Sequence, residues 1–159
     1  MPRISVISDS HGDIENLRFF QKRLGNVDAL YHLGDHAADA AALSERLNCG
    51  FVAVRGNCDP FSDAPLTYTV DWLGHRILLL HGHTVSGRQS LLYAAQEANA
   101  DAVLFGHSHV PSAEKVRGVL MLNPGSLSRP RTMLGPSVAV LTLTDEGIDA
   151  EILFKEPDR

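Results

Sequence analysis

Cysteine is scarce: Cys49 and Cys58 are the only two in 159 residues. Their spacing is neither CxxC nor finger-like, so a disulfide scaffold and a thiolate zinc site are excluded and free thiols in a cytoplasmic protein are expected. Long apolar runs are missing too. No stretch approaches the roughly 20 residues of a membrane span, and the opening MPRISVIS is strand-like rather than built as a signal peptide. Basic charge is in deficit, 14 Lys and Arg against 19 Asp and Glu for a net −5. A nucleic-acid scaffold partner is therefore not expected, since such proteins carry a basic stripe. A small phosphorylated substrate stays open, because a bound divalent ion reverses the local field.

With 44% hydrophobic and 21% charged residues, the composition is that of a globular chain, and its length suits a single domain over residues 1–159. RISVIS (3–8) reads as a buried strand. Ile14, Leu17, Phe20 and Leu24 follow at helical spacing, closed by Gly25. VDALYHLGD is a second strand, AADAAALSERL a short helix and FVAVRG (51–56) a third strand, a β-α-β-α-β order that implies parallel strands. The pattern then changes. A hairpin turning at Leu73–Gly74 leads to a helix over 90–99 and to strand AVLFGH. Two more hairpins turn at Arg117–Gly118 and Glu146–Gly147. Nine or ten strands against three helices make a mixed α/β sandwich. The longest irregular stretch is Pro124–Ser137, placed to cover a site.

Eight histidines are present, and position makes several of them informative. The strand-like runs end, in order, in Asp9 and His11, in Asp35, in Asn57, in His81 with His83 behind it, and in His107 and His109. Each element alone is weak: a polar turn accounts for Asp9–His11, and a buried imidazole accounts for half of His107–His109. Together they are five ordered coincidences at the carboxyl edge of one sheet system, where α/β folds gather ligands. Carboxylate, imidazole and amide without thiolate suit Mn²⁺, Fe²⁺, Zn²⁺ or Ni²⁺. Seven ligands exceed one tetrahedral zinc and suit two ions about 3.5–4 Å apart that share a carboxylate.

In this pattern the chain resembles the calcineurin-like metallophosphoesterases. The motifs are Asp9-Ser-His11, Gly34-Asp35, Gly56-Asn57-Cys58-Asp59, His81 and Gly106-His107-Ser-His109, with Asn123-Pro-Gly-Ser126 behind them. Shortness and RGNCD make it most similar to the small bacterial and archaeal phosphodiesterases of that superfamily. The resemblance implies a four-layer α-β-β-α sandwich with two mixed sheets. It implies two divalent ions, manganese first, one held by Asp9, His11, Asp35 and His109, the other by Asp35, Asn57, His81 and His107, with Asp35 bridging. Asp35, Asn57 and His81 are then the catalytic set. The reaction implied is hydrolysis of a small phosphodiester by in-line attack of a hydroxide between the metals.

One position departs from the family. Where it commonly has His after GN, thought to protonate the leaving group, this chain has Cys58, and a thiol is a poor general acid. Alkyl monoesters should suffer most, which favours diesters; Cys58 as a small apolar filler is the structural reading. His83 is either substrate-facing or structural. Arg129 and Arg131 either hold the diester or solubilise their loop. His32, His36 and His75 match no motif and are expected on the surface or in loops. No membrane partner is expected, and a homo-oligomer stays open. The same fold includes the scaffold subunit of the eukaryotic retromer, so a non-catalytic metal-binding interaction module is the alternative. A scaffold is expected to lose ligands, and here all seven positions are filled.

Overall fold

The computed structural model describes residues 1–155 apart from residue 86. Ten strands form two five-stranded sheets among the described residues. The first contains β1 (Arg3–Ile7), β2 (Ala29–His32), β3 (Gly50–Ala53), β9 (Ser137–Thr144) and β10 (Gly147–Phe154), in the order β10-β9-β1-β2-β3. The second contains β4 (Thr67–Trp72), β5 (His75–Leu80), β6 (Ala102–Leu104), β7 (Ser112–Val116) and β8 (Val119–Asn123), in the order β4-β5-β6-β8-β7. β1, β2 and β3 run parallel, as do β5, β6 and β8. The hairpin partners β10, β4 and β7 and the β9–β1 pair are antiparallel. Both sheets are mixed, as expected.

Alternation along the strands builds the layers. Ile4 and Val6, Ile77 and Leu79, Leu120 and Leu122, and Ala139, Leu141 and Leu143 point inward and form one core between the sheets. The opposite faces need cover. Leu30 and Val140 pack against Leu17, Phe20, Leu24 and Leu43, contributed by the segment after β1 and by α2 (Asp39–Leu47). Leu78, Leu80, Val103 and Met121 pack against Leu91, Leu92 and Ala95 of α3 (Gly87–Glu97). The result is α-β-β-α.

Three details differ from the sequence reading. The helix expected over 14–24 is a 3-10 turn, Glu15–Phe19, followed by the single-turn α1, Gln21–Leu24. Tighter winding aligns residues three apart, so Leu17 and Phe20 reach the sheet together and Leu24 follows four residues later; all three are fully buried. The last hairpin turns one residue early, at Asp145–Glu146, because Thr144 pairs with Gly147. His32 is no surface residue. It ends β2 fully buried, for the reason given below.

Candidate metal centre

The loops that follow β1, β2, β3, β5 and β6 meet at one end of the sandwich and are tied to one another by main-chain bonds. Asp9 N–H donates to the Gly34 carbonyl, His11 N–H to the Asp35 carbonyl and Gly106 N–H to the His81 carbonyl. Packing this close leaves no room for a Cβ. One added at Gly56 would strike Asp35, and one at Gly106 would strike Ser8 and Asp9. The glycines before Asp35, Asn57 and His107 are thus dictated by the neighbouring loops. Asp9, His11, Asp35, His107 and His109 all sit at positive φ, from 50° to 71°. Side-chain residues adopt that region at a cost, and such strain concentrates where geometry matters for function.

Their side chains converge. One ligand atom from each of Asp9, His11, Asp35 and His109 lies within 4.8 Å of the others, and the same holds for Asp35, His81 and His107. The two groups share Asp35. Its Oδ1 is 3.3 Å from His81 Nε2 and its Oδ2 is 3.7 Å from His11 Nε2. Asn57 lines the same cleft of about 300 Å³, with His11, Asp35, Cys58, His107, His109, Arg129 and Arg131. Of the seven residues expected from the sequence to hold metal, six form these two groups and the seventh, Asn57, lines the adjoining cleft.

Hydrogen bonding shows what this centre lacks. His81 Nδ1 lies 2.7 Å from the Leu33 carbonyl, which only accepts, so this nitrogen carries the proton and Nε2 turns a lone pair inward. His109 Nδ1 is held in the same way by the Arg129 carbonyl. Asp9 Oδ2 accepts from the Ser8 hydroxyl and the His107 N–H, which leaves Oδ1 for the centre. There His109 Nε2 stands 3.2 Å from Asp9 Oδ1 and 3.3 Å from His11 Nε2. Asp9 Oδ1 and His81 Nε2 are buried without a hydrogen-bond partner. Acceptors facing acceptors in a buried site require a cation between them, so the donor set fits divalent metal.

Short of a metal ion, protons on the imidazoles answer these acceptors, and the titration directions follow from that. Burial would raise the Asp35 carboxyl, but His81, the Cys58 N–H and His11 outweigh it and hold it far below the usual carboxylate range. Burial would lower His81, but the Asp35 and Asp9 carboxylates lift it above its ordinary value. His11 is lowered, chiefly by burial, with Arg129 and His109 adding to the effect.

Several residues that shape the site were given no role from sequence, though Asp59, Asn123 and Ser126 stand in the motifs quoted above. Asp59, buried, accepts four backbone N–H groups: Asp35 and Gly56 at Oδ2 (2.9 and 2.8 Å), His36 and Ala37 at Oδ1 (2.8 and 3.0 Å). It clamps the loop after β2 to the loop after β3. Ser126 and Ser128 donate to the main-chain carbonyls of Asp9 and Ser10, and Asn123 donates to the Gly106 carbonyl and the Ser108 hydroxyl. His32 is part of a chain: its Nδ1 accepts from Gly34 N–H, so Nε2–H donates to Ser10, whose hydroxyl donates to Asp39. That chain holds the turn between Asp9 and His11, and burial drives the His32 pKa down to about 4. A polar residue inside an apolar strand end was its only signal in the sequence.

The expected substrate residues separate. Cys58 is exposed and lines the cleft, which does not suit the small apolar filler of the structural reading. Burial and the nearby Asp35 carboxylate raise its thiol pKa, so it stays protonated near neutral pH and is no thiolate nucleophile. Arg129 and Arg131 reach the cleft from the 124–136 loop, which carries no helix or strand. His83 lies behind the metal-facing rings, 5.4 Å from His81, with its Nδ1 buried and unpaired. His36 is exposed, as expected. His75 begins β5, half-buried, against the Thr144 carbonyl.

Residues 3–146 match the calcineurin-like phosphoesterase superfamily domain. The chain is 38% identical over 149 residues to the probable metallophosphoesterase YsnB of Bacillus subtilis, covering 90% of this chain and 85% of that one. Identity to the phosphodiesterase YfcE of Escherichia coli is 34% over 131 residues, 70% of this chain and 69% of that one. Among solved structures, wild-type Vps29 of Entamoeba histolytica in complex with Zn²⁺ superposes with a TM-score of 0.78 over 97% of this chain and 99% of its own. At 21% identity that likeness concerns the fold alone.

Proposed function

The chain belongs to the calcineurin-like phosphoesterase superfamily, and on that footing we propose that it is a metal-dependent phosphodiesterase acting on a small phosphorylated molecule in the cytoplasm. The observation that carries this reading is the pair of buried, unpartnered atoms, Asp9 Oδ1 and His81 Nε2, aimed at a centre surrounded by further acceptors. Asp9, His11, Asp35 and His109 would hold one ion; Asp35, Asn57, His81 and His107 would hold a second. Manganese is the first candidate and Fe²⁺, Ni²⁺ and Zn²⁺ follow, since thiolate is absent from the set. When bound, such ions supply Lewis-acid charge to phosphoryl oxygens and acidify water to near neutrality.

The chain's own residues do the rest. The Leu33 and Arg129 carbonyls fix the tautomers of His81 and His109 and so keep both rings from rotating out of register. Arg129 and Arg131 face the cleft, and their planar guanidinium groups suit phosphate oxygens. Cys58 stands where an imidazolium would protonate a poor leaving group. A thiol is a weaker acid than imidazolium and gives such a group little help, so diesters with good leaving groups are favoured over alkyl monoesters.

The test is metal content per chain after loading with Mn²⁺, with parallel assays of bis(4-nitrophenyl) phosphate and a simple alkyl phosphate. The expected result is two ions per chain and hydrolysis of the diester well above that of the monoester. Bound metal without hydrolysis of any phosphate ester would favour the non-catalytic interaction module instead. Absence of bound metal would defeat both.

A further inference from the structure

A second cavity, of about 320 Å³, adjoins the metal cleft on the side of the second sheet. Val85, Leu91, Phe105 and Met121 give it apolar walls. Leu91 and Met121 belong to the core layer between that sheet and α3, with Val85 and Phe105 packed against it, so the cavity is an unfilled end of an apolar layer. Arg88 of α3 and Glu114 of β7 also line it, and their side chains meet at 2.8 Å. His107 lines both this cavity and the metal cleft. A single imidazole therefore separates an apolar space from the place where phosphate would sit.

We propose that this cavity receives an aromatic or heteroaromatic ester group of the phosphodiester, bound beside His107 while the phosphate faces Asp35 and His81. The inference rests on the phosphodiesterase reading and adds a substrate class to it. A volume near 300 Å³ with mostly apolar walls and a few polar groups is the usual form of a pocket for a small organic group. A charged or polyhydroxylated substituent would leave its polar atoms unpaired against Leu91, Phe105 and Met121. A planar ring buries its faces there, and a heterocycle can in addition offer its edge to the donor and acceptor of Arg88 and Glu114. Continuity with the metal cleft selects this occupant over a peptide or a second copy of the chain.

Affinity of the Mn²⁺-loaded protein for phenylphosphonate and methylphosphonate, measured by calorimetry, tests the proposal without turnover. Wild type should bind the phenyl compound about tenfold more tightly, the factor expected from burying roughly 60 Å² of ring surface. Ser112→Trp, at an exposed cavity-lining position on β7, should fill the space and bring that preference close to unity. Metal content and methylphosphonate affinity should stay as in wild type. Equal binding of the two phosphonates by wild type overturns the proposal, and that comparison needs no variant. Retention of the tenfold preference in the folded Ser112→Trp protein overturns it as well. If wild type hydrolyses diesters but shows no ring preference, only the pocket assignment fails. If it neither binds methylphosphonate nor hydrolyses any diester, the phosphodiesterase reading fails and takes this one with it.

Discussion

Asp59→Asn is the most informative single change, because it alters almost no volume and attacks the clamp between two ligand loops. The carboxylate accepts four backbone N–H groups at 2.8–3.0 Å, two on each oxygen. In the amide one oxygen still accepts two of them, and the –NH₂ faces the other two donor to donor. Hydrogen bonds to a charged group contribute about 1.5–3 kcal/mol each, so losing two costs about 3–6 kcal/mol. That is a large share of the roughly 5–15 kcal/mol that holds a typical domain folded. Urea denaturation of the metal-free protein isolates this effect, because bound metal would itself add stability by mass action. The variant should unfold at markedly lower urea, and Mn²⁺ should bind it more weakly, since Asp35 hangs from the same clamp. A metal-free Asp59→Asn protein within about 1 kcal/mol of wild type would refute the reasoning, because two buried donors cannot lose their acceptor at so small a cost.

Asp35→Asn should empty both proposed metal positions together and reduce diester hydrolysis by orders of magnitude; elemental analysis showing two tightly held ions would remove its bridging role. Cys58→His should raise monoester relative to diester hydrolysis, by up to the roughly 10²–10⁴ of a positioned acid–base group, and an unchanged ratio would show that the position has no acid role. Arg129→Ala and Arg131→Ala should raise KM with metal content intact, and unaltered kinetics for every accepted diester would end the clamp assignment. His32 is a base whose pKa falls from 6.5 to about 4 on folding, so the folded form resists its proton. Its contribution is present in full above pH 6.5 and is lost as pH falls toward 4, about 3 kcal/mol in all at 1.36 kcal/mol per pH unit. His32→Gln should remove that part of the pH dependence of stability; equal slopes for variant and wild type between pH 6.5 and 4 would contradict the buried, neutral ring.

Local information carried much of this protein. Unbroken apolar runs such as Ile77–Leu80 and Val119–Leu122 mark strands covered on both faces, and two-residue turns such as Arg117–Gly118 join neighbours in the chain, so strands and hairpins could be read directly. The seven acceptors could be read too, because each lies just beyond a strand and all parallel strands deliver their carboxyl ends to one edge. Sheet order was not readable: β9 lies beside β1 though more than a hundred residues separate them. The same separation hid the supports. Asp9 meets the His107 N–H across 98 positions, His81 meets the Leu33 carbonyl across 48 and Asp59 meets Asp35 across 24. The choice of candidate ligands follows from residue type and nearby chain, which a sequence displays. Tautomer, burial of His32, exposure of Cys58 and the cavity beside His107 depend on which distant atoms arrive alongside, and only tertiary packing decides that.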